Sequence, residues 1–214
     1  MNSNTKKIII FLGPSLSHTD ALDILDADYR PPIKRGDISA VLNEHPDIIG
    51  IIDGVFHHQP AVSHREILDA LKKGITVVGG ASMGALRASE LDDFGMIGVG
   101  YVYNQYKEGL IESDDDVAVV INPVTMEQLS DSLVSMEHNF KKAQEKGLIS
   151  PEDFEILIKT AKAIYYPKRT YALLLSTVPL HPAKIAVIED FLMEEGIDIK
   201  RQDAIRVLKY IKNL

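Results

Sequence analysis

Hydrophobic positions along the chain fall into two regimes. In the first, short apolar runs at residues 8–13 (IIIFLG), 48–54 (IIGIIDG) and 75–80 (ITVVGG) end in glycine or an acid followed by glycine. Runs that are apolar on consecutive positions and rich in β-branched residues predict strands buried on both faces. Between them apolar residues recur at helical spacing, weakly at 20–25 and 39–43 and clearly at 63–73 through Ile67, Leu68, Ala70 and Leu71. Strands alternating with helices predict an α/β fold, a small parallel Rossmann-like sheet with helices on its faces. A further apolar run at 117–121 follows the acidic stretch 112–116 and predicts an edge strand.

The second regime begins at residue 125, where helical periodicity predicts helices over 125–146, 150–164, 182–195 and 201–211. Ser150 before Pro151 supplies a capping hydroxyl ahead of proline at the first helical position, and Asp198 precedes the last helix. The expected organisation is an α/β core over 1–122 and a helical C-terminal region over 123–214 packed on it. No stretch between the two reads as a linker between independent domains.

Parallel sheets bind ligands outside the carboxyl ends of their strands, which directs attention to residues 13–17, 53–58 and 79–84. In the last of these, Gly80-Ala81-Ser82-Met83-Gly84 has the Gly-x-Ser-x-Gly spacing of a nucleophile elbow. A serine on a tight strand-to-helix turn needs small neighbours, and its hydroxyl then projects above the sheet. A strand at 75–78 precedes the motif and a helix at 83–91 is expected after it, so the Met83 amide is a natural oxyanion donor. The same glycines also suit close helix–strand packing or a non-covalent anion loop.

Composition narrows the chemistry. Lys and Arg number 23 against 31 Asp and Glu, and the net charge of −8 argues against a grip on nucleic acid or anionic lipid. With no cysteine, thiolate zinc sites, disulfides and cysteine nucleophiles are excluded. The five-residue apolar run at 8–12 reads as a strand rather than a leader, and no run reaches the length of a membrane span, so a cytoplasmic protein is expected. No cofactor is expected either, since there is no Walker segment and the loop after the first strand is too short for a dinucleotide fingerprint.

A serine nucleophile requires a base. His138 and His181 lie downstream but carry no supporting motif. Lys200 stands at the start of the last helix beside Arg201, where the helix dipole and the neighbouring cation both favour the neutral amine. Arg169 has the forked geometry to take a carboxylate, although a surface ion pair is the simpler reading. The segment 28–37 combines Arg30, Lys34 and Arg35 with two prolines, as a rigid extended loop with a positive tip would, or a solvated connector. His57, His58 and His64 with Asp53 match no compact metal-ligand spacing, and Asp114-Asp115-Asp116 reads as a solvated turn.

Taken in order, these segments carry a resemblance. They are Gly13-Pro14-Ser15-Leu16; Asp26-Ala27-Asp28-Tyr29 with Pro31-Pro32 and Gly36-Asp37; Ile49-Gly50-Ile51-Ile52-Asp53-Gly54; and His64-Arg65-Glu66-Ile67-Leu68. Gly80-Ala81-Ser82-Met83-Gly84-Ala85-Leu86-Arg87-Ala88 with Glu90-Leu91, then Phe94-Gly95-Met96 and Gly98-Val99-Gly100, complete the set. Together they resemble the core of the TfuA-like family over residues 8–122.

That resemblance implies an accessory protein of peptide thioamidation that partners a YcaO enzyme. It further implies hydrolysis of a thiocarboxylated, ThiS-like sulfur carrier to release sulfide, with a peptide or protein as the thioamidated substrate. A glycine of methyl-coenzyme M reductase and a ribosomal peptide are the two substrate classes it suggests. The implied site is a Ser–Lys pair, Ser82 matching the serine motif and Lys200 the lysine, with Arg87, Arg30, Asp53, Met83 and Arg169 as substrate-binding candidates. The competing expectation is a non-enzymatic adaptor that brings the peptide substrate to the YcaO enzyme.

Overall fold

A computed structural model of the chain describes residues 6–55, 59–122 and 128–214. Its centre is a five-stranded parallel sheet in the order β2-β1-β3-β4-β5, formed by β1 (Ile8–Phe11), β2 (Asp28–Arg30), β3 (Ile48–Ile51), β4 (Thr76–Gly80) and β5 (Ile97–Val99). The expected α/β architecture holds, with all three runs of the sequence at the sheet's centre. The two edges are three-residue strands that the apolar pattern does not reveal, β2 within the segment expected as an extended loop and β5 around Gly98.

Period-two alternation divides the centre into two layers. Ile9, Phe11, Ile49, Ile51 and Val77 face α2 (Asp37–Val41), α3 (His64–Lys72) and α4 (Met83–Leu91). Ile10, Leu12, Ile48, Ile52 and Val78 face α1 (His18–Ile24) and the last helix, α10 (Ile199–Lys212), through Ala204, Val207, Leu208 and Ile211. α5 (Tyr101–Lys107) follows β5, and Asp203 of α10 accepts from the amides of Tyr101 (2.9 Å) and Val102 (2.7 Å) at its start. Burial raises the Asp203 carboxyl's pKa, and those two amides act against the shift.

The chain forms two compact units, residues 1–114 with 200–214, and residues 115–199. The region expected as one helical block over 123–214 therefore divides, because α10 buries its apolar stripe on the sheet. The second unit holds α6 (Leu133–Glu145), α7 (Pro151–Ala163), α8 (Tyr171–Thr177) and α9 (Pro182–Glu195) around a core that includes Met136, Phe140, Leu157, Leu174, Ile188 and Phe191. The strand expected at 117–121 does not form. Val117 and Ala118 are fully buried, and this stretch makes a single antiparallel bridge, Ile121 to Gln128. The expected helix over 125–146 begins at Leu133, residues 125–127 lying outside the described set.

Candidate active site

β4 ends in Gly79-Gly80 and α4 begins at Met83, leaving two residues to reverse the chain. Ala81 makes the turn at φ 65°, and the Ser82 amide donates to the Gly80 carbonyl at 2.8 Å, closing a γ-turn around it. A non-glycine residue at positive φ stores about 1–3 kcal/mol of strain. The glycines permit the close approach behind it. A Cβ on Gly84 would lie 1.7 Å from the Ile51 carbonyl oxygen, and one on Gly80 would lie 2.4 Å from the Val99 carbonyl oxygen. The packing role expected as an alternative for these glycines is thus present together with the strand-turn-helix context of an elbow.

Ser82 is the N-terminal flanking residue of α4, yet its side chain accepts no capping hydrogen bond from that helix. Ser63, Ser150, Ser17 and Thr170 all do cap the helices they precede. Ser82 is 1% exposed, and its hydroxyl meets no hydrogen-bond partner among the described residues. The amides of Ala85 and Leu86 both go to the Ser82 carbonyl and that of Gly84 to Ile52 (3.3 Å). The Met83 amide meets no acceptor among the described residues. A hydroxyl and an amide at the start of a nine-residue helix are therefore both available at the carboxyl end of the central sheet.

Lys200 is also 1% exposed and lies in the same unit. Val207 fixes its helix against the elbow, since its Cγ2 lies 2.5 Å from where a Gly80 Cβ would stand. Seven residues earlier on the same helical face, Lys200 stands about 10 Å further along the axis, beyond the carboxyl ends of the strands. No hydrogen bond joins Lys200 to Ser82. Catalytic contacts are often long without substrate and tighten in the complex.

Asp53, one strand away, is 2% exposed and fully engaged on one side. It accepts from the Gly13 amide (2.9 Å), the Ser15 amide (3.1 Å) and the Ser15 hydroxyl (2.6 Å). It thereby binds the loop after β1 to the end of β3, at the point where the strand order reverses, and holds internally the amides that an anionic ligand would otherwise take. The next residue, Gly54, lies under the Met83 side chain. The sequence pointed to the segment of Ser15 but not to its bond with Asp53, nor to the contact of Asp203 with the start of α5.

The arginines are committed elsewhere. Arg87 donates to the Val62 carbonyl (3.1 Å) and to Glu90 (2.7 Å), which also meets His64 (2.8 Å). Arg30 pairs with Asp28 and Glu44 beside a cavity of about 180 Å³ that Lys34 and Asp37 also line. Arg169, 1% exposed, lies in the second unit, where it holds the Ala161 carbonyl and both the carbonyl and the carboxylate of Asp115. Asp115, expected on a solvated turn, is thus a partner of a buried cation. His181 caps its own helix, α9. Among the described residues no group of three or more His, Asp or Glu is placed to hold a metal, and His57 and His58 lie outside them.

A parallel α/β sheet carrying a non-capping serine on a strained strand-to-helix turn defines a class, that of proteins with an elbow-like site at the strand ends. The family described as TfuA-like protein matches residues 53–170, more than half of the 214, and the chain belongs to that family. The matched span contains Asp53, Ser82, Met83, Arg87 and Arg169, and leaves out Arg30 and Lys200. No curated protein matches the chain. Membership supports an accessory role in thioamidation and association with YcaO partners. No helix among the described residues is long and apolar enough to cross a membrane.

Proposed function

We propose that this protein hydrolyses the C-terminal thiocarboxylate of a ubiquitin-like, ThiS-type sulfur carrier and passes the sulfide to a YcaO enzyme for thioamide formation. One observation carries the reading: Ser82 sits at a helix start without capping it, its hydroxyl unpartnered among the described residues.

The chemistry balances without a cofactor. Ser82 Oγ attacks the thiocarboxylate carbonyl as its proton passes to Lys200, and the Met83 amide faces the developing oxyanion. The C–S bond breaks, Lys200 returns the proton to the departing sulfur, and an ester to Ser82 remains. Water, deprotonated by the same amine, then cleaves the ester and frees a carboxylate-terminated carrier. Lys200 is the base assigned to this step, from its buried place on the helix that Val207 seats beside the elbow. With both groups 1% exposed, the carrier's tail reaches them only by displacing side chains that cover the elbow.

The test follows sulfide release and carrier mass on incubating the protein with a thiocarboxylated carrier. Release by the wild type, lost in Ser82→Ala and in Lys200→Met while circular dichroism and carrier binding persist, supports the hydrolase. No release even with the YcaO partner present would instead indicate an adaptor that recruits the peptide substrate.

A further inference from the structure

The second unit contains a cavity of about 330 Å³ at the low end of the usual range for ligand pockets, unrelated to the elbow and drawn from three of that unit's helices and the segments beside them. Gln128, Asp131, Ser135, Asn139, Tyr171 and Asp198 supply its polar lining, and Leu192, Met193 and Ile197 its apolar wall; among the described residues no Lys, Arg or His lines it.

Two of its polar groups, the Tyr171 phenol and the Asp131 carboxylate, each keep a hydrogen-bonding position open among the described residues. Asn139 grips the backbone of Ile197 from both sides, donating from Nδ2 to the Ile197 carbonyl (2.9 Å) and accepting at Oδ1 from the Ile197 amide (3.1 Å). That double contact fixes the amide's orientation, so the bond of 2.7 Å from Nδ2 to Tyr171 makes the phenol oxygen an acceptor. The phenol's own proton meets no acceptor among the described residues. Asp131 Oδ2 accepts from the Tyr171 amide (3.0 Å), and its Oδ1 has no donor among the described residues. Burial, reinforced by the charge of Asp198, raises the Asp131 carboxyl's pKa, and burial raises that of the Tyr171 phenol.

We propose that this cavity binds the free N-terminus of a polypeptide. The α-ammonium donates to Asp131 Oδ1, the first carbonyl accepts from the Tyr171 hydroxyl, and a first side chain of apolar character lies on Leu192, Met193 and Ile197. An alkylamine would leave the phenol proton unmatched. A free amino acid would bring its own carboxylate into an acidic cavity, and a neutral amide would forgo the charge that Asp131 offers.

Calorimetric titration of the whole protein with L-leucinamide, isoamylamine, N-acetyl-leucinamide and leucine separates these cases. Saturable binding of leucinamide is expected, weakened at least about tenfold on N-acetylation, as for a lost charge-assisted hydrogen bond. Isoamylamine and leucine should also bind more weakly, and a short peptide beginning with leucine at least as tightly as leucinamide. Asp131→Asn and, independently, Tyr171→Phe, which keeps the ring packed on Phe140, should each weaken leucinamide with melting unchanged. Absence of saturable leucinamide binding, equal binding of the acetylated probe, or undiminished binding by folded variants of both residues would overturn the proposal.

Discussion

At position 82 a serine stands where α1, α3, α7 and α8 use serine or threonine as a cap, and its hydroxyl, like that of Ser132 before α6, caps nothing. The turn that holds it is strained at Ala81 and is pressed from behind by glycine contacts that no other residue fits. Gly84→Ala places a methyl group into the Ile51 carbonyl and should cost at least about 3 kcal/mol or prevent folding, read by chemical denaturation. Ala81→Val puts a β-branched side chain at φ 65° and should lower stability by about 2 kcal/mol, whereas Ala81→Gly should leave it near the wild type. Equal stability of the valine and glycine variants would show that the turn is unstrained. Ser82→Ala removes no cap and no hydrogen bond made within the described residues, so its melting temperature should be unchanged. A large loss of stability would make Ser82 a structural residue.

Among the elements, the three central strands and all the described α-helices except α5 and α8 were legible, because strands buried on both faces read as continuous apolar runs and amphipathic helices as spaced ones. The edges were not. β2 is Asp-Tyr-Arg and β5 is Ile-Gly-Val, both half-exposed and three residues long, so neither carries a hydrophobic signature. α10 was legible as a helix of the region expected on the core, but not as the helix that joins the sheet's own unit, since a stripe of Ala204, Val207, Leu208 and Ile211 fits any apolar surface. The elbow was legible through its motif and preceding strand, whereas the commitments of Arg87, Arg30 and Arg169 arise from partners distant in sequence.

In the helical unit, Ser150 and Asp153 form a capping box at α7, and Lys184 of α9 holds the Asp153 carboxyl below its usual pKa. A depressed carboxylate pKa gives stability that is present above the unfolded value near 3.9 and lost as pH falls through the folded one. Lys184→Met should therefore move the acid transition, followed by circular dichroism, to higher pH, and an unchanged midpoint would show that the pair contributes nothing.

At the scale of the molecule, α10 returns the chain from the helical unit to the sheet and sets a buried lysine beyond the strand ends, on a helix that Val207 seats beside the serine turn. That return is what brings two groups 118 positions apart in sequence into one unit, and the Ser–Lys assignment depends on it. Family membership supplies the thioamidation setting, and the hydrolytic step is the proposal built on Ser82 and Lys200. The most direct test is intact mass spectrometry of the protein mixed with thiocarboxylated carrier and quenched in acid within the first turnover. The account predicts a covalent species equal to protein plus carrier less hydrogen sulfide, with the ester mapped to Ser82 and absent from Ser82→Ala. Sulfide released at the wild-type rate by Ser82→Ala would contradict it.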